Sequence, residues 1–512
     1  MIYVQLNEAN FEYDIYSLVK AFYPREEIRV EASEMIPEGE ISFLLVICYR
    51  GDRIDLAAYD GIRFHPSYGQ PDHWPENVAA LDDTRPEPLW QQQITVDAAD
   101  RKDTKSRLKL ALYDFLTKQS GRTLPWGTLT GIRPTKIPLG MLEAGKDRDG
   151  IYSYMEQTYR ISPEKARLSM EVAGREYDLL RQWDYTNGYS LYVGIPFCPS
   201  TCLYCSFPSY PMGLYRDRMD DYLDAVEKEL DFTAELMKKS CLTTIYIGGG
   251  TPTSLDAGQL HRLFSMLEQK LDCSGLREIT VEAGRPDSIT PEKLQVISDH
   301  GIGRISINPQ TMNQKTLDLI GRHHSVEDIK GSFALAREMG FDDINMDLIL
   351  GLPGETIEDV AHTMEEIKKL APDNLTVHSL AIKRSARLNI QWEKYRDMEM
   401  TNSDEHMALA MHCAAELGMQ PYYLYRQKNM AGNLENIGFA PEGREGLYNI
   451  LIMEEKQTIV ACGAGATTKR VFADKNPDGT HRIERCENVK DVAQYMDRID
   501  EMIERKRELF GK

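Results

Sequence analysis

From residue 188 onward, short apolar runs alternate with stretches of helical period. The runs cover 191–197, 244–248, 278–283, 304–307, 344–350 and 375–380. Continuous apolar runs of this length suit strands buried on both faces. Between them, 217–239, 257–271, 291–300, 325–339 and 357–370 repeat apolar residues every three or four positions, as amphipathic helices do. Strand–helix units joined by short connections predict an α/β fold: a parallel sheet covered by helices, either doubly wound or curled toward a barrel.

The first 180 or so residues have a different rhythm. Residues 2–6 read as a strand. Residues 41–49 and 54–59 read as a hairpin around Arg50-Gly51-Asp52. A Pro-rich polar connection follows over 66–90. Residues 103–118 and 163–183 have helical spacing, the second begun by Ser162 as N-cap with Pro163 at its first position. Asn187-Gly188 is a turn signal and the expected boundary. After Pro421, 447–453 and 458–462 read as strand, turn, strand. Pro477-Asp478-Gly479 reads as a second turn, and 491–510 as one charged amphipathic helix. The expected organisation is an N-terminal α+β domain (1–185), a core barrel (186–395) and a smaller C-terminal α+β domain covering the active site (396–512).

Charge narrows the partners. The chain has 512 residues and a net charge of −20, from 60 Lys plus Arg against 80 Asp plus Glu. Binding a nucleic acid duplex needs a basic surface, so no nucleic-acid partner is expected. A small anionic substrate needs only a local group of cations. No apolar stretch is long enough to span a membrane. The acidic start lacks the basic segment of a signal peptide, so a cytoplasmic protein is expected.

Three of the nine cysteines are clustered: Cys198, Cys202 and Cys205, spaced C-x3-C-x2-C directly after an apolar run. The other six, Cys48, Cys241, Cys273, Cys413, Cys462 and Cys486, are expected as small buried hydrophobes. A structural zinc takes four ligands, and an iron–sulfur cube takes one per iron. Three thiolates on a cube leave one iron open to a further chelator. An amine and a carboxylate on one carbon, as on the methionyl end of S-adenosylmethionine (SAM), would serve.

Other motifs fall where the strands end, which is where such sheets bind ligands. Gly248-Gly249-Gly250-Thr251-Pro252-Thr253 follows the second run, and its glycines allow close backbone approach. It can equally be an ordinary strand-to-helix turn. Glu282 is a carboxylate in an apolar strand and must be paired or hydrogen-bonded. Asp347 interrupts another. Gln310 follows the fourth run. Arg322 could grip a carboxylate in a bidentate pair. His323 and His324 could donate protons or touch substrate, or lie on the surface.

At these residues the chain resembles the radical SAM superfamily, and within it the oxygen-independent coproporphyrinogen III oxidases, most of all their HemZ-type branch. The motifs carrying the resemblance are IPFC-x3-C-x2-C, GGGTPT, the Glu282 strand, GRHHS and DLILGLPGE. It covers about residues 189–470, and the likeness of the N-terminal module, including WGTLTGIRPTKIP (126–138), to the HemZ type favours the porphyrin enzyme. The resemblance implies a partial (β/α)6 barrel and a 4Fe–4S cluster chelated by SAM. Cleavage of SAM would give a 5′-deoxyadenosyl radical that takes hydrogen from a propionate of coproporphyrinogen III. Carbon dioxide leaves and a vinyl group forms; two propionates so converted give protoporphyrinogen IX. An electron donor and a final acceptor are implied partners. The pattern puts Cys198, Cys202 and Cys205 on the cluster. It places Tyr192, Tyr204, Gly249, Gly250, Thr251, Glu282, Gln310, Arg322 and Asp347 around SAM. Residues 463–467, ending at Thr467, resemble the glycine-rich stretch that closes the site.

Two positions depart from the family's best-known oxidases. Phe207 stands where they carry a fourth cysteine, and Gly194 where they carry a histidine. Phe207 is a pattern shared with the family's haem chaperones. Oxidation of a tetrapyrrole and haem binding or delivery are therefore both expected readings, and a zinc-binding interaction protein is a third. A substrate rich in carboxylates needs cations. Lys383, Arg384 and Arg387 follow the sixth run, and Arg426 and Lys428 lie in YYLYRQKN; all could bind propionates or be solvated.

Overall fold

The computed structural model describes residues 1–33, 40–63, 88–131, 133–427, 434–476 and 480–511. Most of the connection expected at 66–90, the turn at 477–479 and Lys428 lie outside the described residues. The chain divides into two compact units, one of Met1–Gly131 with Ala144–Met170, the other of Ile132–Glu143 with Glu171–Lys512.

The first unit is an α+β layer. Its five-stranded sheet runs in the order Ile28–Ala32, Ile2–Leu6, Glu40–Arg50, Arg53–Arg63, Trp90–Thr95. The hairpin is as the pattern predicts: Arg50 pairs with Arg53, and Gly51 takes φ 65° in the two-residue turn. Helices Glu12–Phe22 and Arg101–Ser120 supply Ile15, Leu18, Phe22, Leu108, Leu112 and Leu116 to one apolar core. The second helix starts earlier than its period suggests because the Asp100 side chain accepts from the amides of Lys102 and Asp103.

The second unit holds an 11-stranded sheet. Its parallel centre adds strands in chain order: Gly188–Ile195, Cys241–Gly249, Glu278–Gly284, Arg304–Ile307, Asp343–Leu350 and Asn374–Ser379. Right-handed crossovers added in one direction keep the helices on one face. The sheet therefore curls as a partial barrel and lacks the order reversal of a doubly wound fold. Three of the intervening helices begin at reciprocal capping boxes: Asp256 with Gln259, Ser325 with Asp328 and Thr356 with Asp359.

Later residues complete both edges of this sheet. Thr458–Cys462 runs parallel to the first barrel strand, followed by antiparallel Thr467–Lys475 and His481–Glu487. Asn436–Ala440 and Gln420–Tyr425 extend the sixth strand antiparallel. Two compact units thus stand where three segments were expected, because residues after 396 share the barrel's sheet. The expected first segment also loses residues. In the second unit Thr135 donates to Glu454 at 3.0 Å, and Arg133 and Lys136 hold Glu455 at 2.5 and 2.6 Å.

Two expected elements differ. Residues 447–453 are not a strand but part of helix Leu447–Glu454. Its first amides, on Leu447 and Tyr448, donate to the Glu278 carboxylate at 2.5 and 3.3 Å, a long-range cap invisible to local pattern. The helix expected over 491–510 breaks at Arg498 into Val492–Asp497 and Ile499–Gly511. Cys48, Cys413 and Cys462 are buried as expected, Cys273 and Cys486 are half-buried, and Cys241 is exposed. Among the described residues no helix is long and apolar enough to cross a membrane.

Candidate cofactor site at the barrel strand ends

The cysteine loop leaves the first barrel strand and is tied to two later turns. Leu203 N donates to Ile320 O, Ser200 Oγ to Gly321 O, and Leu388 N to Leu203 O, at 2.8, 2.9 and 2.8 Å. Cys198 is buried; Cys202 and Cys205 are half-buried. Burial pushes the Cys198 thiol up to about 12 and raises Cys205, so metal charge is needed to hold both as thiolates. Thr251 Oγ1 donates to Cys198 Sγ at 3.5 Å. No group of three or more His, Cys, Asp or Glu among the described residues is arranged for a single metal ion. A cube takes one thiolate per iron, so its ligands need not converge on one ion.

The glycine loop packs against the same strand end. Gly250 N and Thr251 N donate to Ile195 O and Phe197 O at 2.8 and 2.7 Å. Gly249 has φ 107°, and a Cβ there would sit 3.1 Å from Tyr192 Oη. A Cβ on Gly250 would sit 2.6 Å from Phe197 O, and one on Gly248 2.9 Å from the Glu282 carboxylate. These glycines are required by close approach, which the sequence left open.

Two carboxylates sit on this rim in opposite states. Burial raises Glu282 to about 7, although Tyr246 Oη donates to it at 2.5 Å. Burial also acts on Asp347, but His378 at 3.7 Å and the Asn345 amide at 2.8 Å outweigh it and hold the carboxyl below its ordinary value. Gln310 has φ 69° and is fixed by backbone bonds across to Asp347 and Ile349. Tyr192 stacks on Tyr246 with centroids 6.3 Å apart.

Arg322 is 3% exposed, and its Nε and Nη1 have no hydrogen-bond partner among the described residues. Buried N–H groups without acceptors are costly, and an anionic ligand at Nε and Nη1 would relieve that. His324 is buried with both ring nitrogens unpartnered; burial and then the Arg322 cation hold it down at about 4, hence neutral. His323 is exposed.

The remaining expected residues are more scattered. Thr467 begins its strand after Gly463, whose φ is 107° and whose Cβ would meet Gly194 O at 2.4 Å. Arg384 and Arg387 are exposed, and Arg387 donates to Thr201 O of the cysteine loop at 3.1 Å. Lys383 is half-buried. Arg426 is buried, which lowers it to about 10. Burial, and then Cys202, raise the Tyr204 hydroxyl well above its ordinary value, with Arg322 opposing. Sequence reasoning missed Tyr246, His378 and Arg285. Alternation along YIGGG marks Tyr246 as facing as Gly248 does, but nothing local marks the other two.

The donor set fits the two groups the motifs imply. Three thiols act on one another electrostatically within one loop, beside a buried arginine whose Nε and Nη1 have no hydrogen-bond partner among the described residues and a glycine loop packed on the same strand end. The family model described as "Radical SAM superfamily" matches residues 192–367. The chain belongs to this superfamily, whose members use a 4Fe–4S cluster and SAM. Within it, the chain is 41% identical over 422 residues to the oxygen-independent coproporphyrinogen-III oxidase-like protein HemZ of Bacillus subtilis, covering 80% of this chain and 83% of that one. It is 32% identical to the B. subtilis heme chaperone HemW, over 61% of this chain and 76% of that one. It is 28% identical to the oxygen-independent coproporphyrinogen III oxidase of Escherichia coli, over 61% and 65%. The solved structure of that E. coli enzyme matches with a TM-score of 0.49 at 24% identity, over 62% and 70%.

Proposed function

We propose that the chain is a radical SAM enzyme that decarboxylates the propionates of coproporphyrinogen III without oxygen, giving protoporphyrinogen IX. Cys198, Cys202 and Cys205 hold the cluster. Arg322 takes the SAM carboxylate, Gly249, Gly250 and Thr251 its amino end, and Glu282, Gln310, Asp347, Tyr192, Tyr204 and Thr467 the remainder. The observation that supports this reading is Arg322, a buried cation beside the cysteine loop whose Nε and Nη1 have no hydrogen-bond partner among the described residues. When bound, cluster and SAM together would supply a radical able to take a hydrogen atom from a propionate, and loss of carbon dioxide with one electron passed to an acceptor would leave the vinyl group. Lys383, Arg384, Arg387 and Arg426 supply cations for propionates. The tetrapyrrole assignment is supported by likeness to the HemZ-like protein. The partners are this substrate, an electron donor and an acceptor, in a cytoplasmic setting.

A second reading, haem binding and delivery with cluster and SAM site retained, is favoured by Phe207. It stands 70% exposed two residues beyond Cys205. Anaerobically reconstituted protein with reductant, SAM and coproporphyrinogen III separates the two. Vinyl product supports the enzyme; no product with stoichiometric haem binding by absorbance transfers the assignment to delivery. Cys202→Ala should abolish both the cluster's brown colour and SAM cleavage. Retention of both would refute the cysteine assignment.

A further inference from the structure

The segment Glu282-Ala283-Gly284-Arg285-Pro286-Asp287 brings a charged pair to the back of the cysteine loop. Arg285 is 3% exposed. Its Nη1 donates to Ser200 O and Ser200 Oγ, both at 2.9 Å, and lies 3.9 Å from Cys202 Sγ. Its Nε and Nη2 grip Asp287 at 2.9 and 2.6 Å. Asp287 is also 3.8 Å from His324 Nδ1. The guanidinium is thus held on two sides and aimed at one cysteine sulfur.

Such an arrangement is more than a loop tie. Desolvating a guanidinium is costly, and Asp287 and Ser200 already satisfy most of its donors. The Cys202 sulfur is a third acceptor on Nη1, sharing its two hydrogens with the two Ser200 oxygens. Hydrogen bonds and positive charge at ligand sulfur stabilise the electron-rich, reduced form of an iron–sulfur cluster, while nearby negative charge opposes it.

We propose that Arg285 is a positioning residue that raises the reduction potential of the cluster through Cys202, and that Asp287 orients it and offsets part of that rise. The inference rests on the assignment of Cys202 to the cluster. Asp287→Asn keeps an acceptor oxygen to orient Arg285 and removes only the negative charge, so neutralising the two residues acts in opposite directions. That opposition separates electrostatic tuning from a merely structural role.

The test is an EPR-monitored redox titration of reconstituted full-length protein, with iron content measured on the same samples. Arg285→Gln should shift the midpoint to lower potential, and Asp287→Asn should shift it higher. Arg285→Lys, which keeps the charge, should stay closer to wild type than Arg285→Gln. Unchanged midpoints in both Arg285→Gln and Asp287→Asn, or shifts of the same sign at full iron content, would overturn the proposal. Should Arg285→Gln fail to take up iron, Asp287→Asn alone decides by the sign of its shift. Failure of the underlying assignment reads differently: Cys202→Ala would then keep its iron.

Discussion

Two buried charge clusters in the second unit face opposite situations. Around Glu229, every carboxylate lone pair has a donor. Lys506 and Asn488 reach Oε1, while Tyr495 and Gly463 N reach Oε2 at 2.6 and 2.8 Å. Glu229 and Lys506 are both 0% exposed. Around Arg322, the guanidinium is as deeply buried but two nitrogens lack acceptors, and the neighbouring His324 ring has none. Equal burial with unequal satisfaction distinguishes a joint from a site. The first cluster locks Gly463 against helices Met219–Met237 and Ile499–Gly511. The second leaves N–H groups of a buried cation unmet among the described residues, as the proposed SAM carboxylate would require.

The largest effect should come from breaking the satisfied cluster. Lys506→Met leaves Glu229 buried without its cation, which costs about 3–5 kcal/mol. Urea unfolding should show a lower midpoint, with partial recovery when Glu229→Gln is added. An unchanged midpoint would remove the distinction, because the pair would then hold nothing together.

How much of this contrast could be read from the chain? The cysteine spacing, Glu282 and Asp347 were legible because a charged or metal-binding residue in an apolar run has few cheap explanations. Arg322 was legible as a candidate, but its lack of partners was not, since partners are set by packing. In local pattern Glu229 is one more acid within the helical stretch 217–239. Its partners lie hundreds of positions away, and no local pattern encodes such pairing. The same reason hid the pairing of Thr458–Cys462 with the first barrel strand. Arg285 sits in a turn, where an arginine is usually solvated. Helix Leu447–Glu454 was misread because LYNILIME is apolar on nearly every side. Periodicity cannot separate such a run from a strand.

Emptying the unsatisfied cluster should do the reverse of breaking the satisfied one. Arg322→Gln removes a costly buried charge, so stability should hold or rise slightly in the protein without SAM. Loss of a charge-assisted bond of about 1.5–3 kcal/mol should weaken SAM by about 10–100-fold. Equilibrium binding to reconstituted protein measures the second effect and urea unfolding the first. A variant that unfolds easily yet binds SAM normally would class Arg322 with Glu229.

The smallest effect concerns Glu282, which stands between the two extremes. It has one strong donor, Tyr246, yet burial still raises it to about 7. Its unfolded value is about 4.3, so the native state holds a proton that the unfolded chain has released. Stability from this group is full below about 4.3 and is lost as pH rises through about 7. Other groups titrate in that window, so the quantity to read is the wild-type curve minus that of Glu282→Gln. Between pH 5 and 8 this difference should fall by on the order of 2 kcal/mol. A cation delivered to Glu282 would favour its charged form, so saturating SAM should flatten the difference. A flat difference without SAM would mean that Tyr246 alone satisfies the carboxyl, and would move Glu282 to the side of the joint.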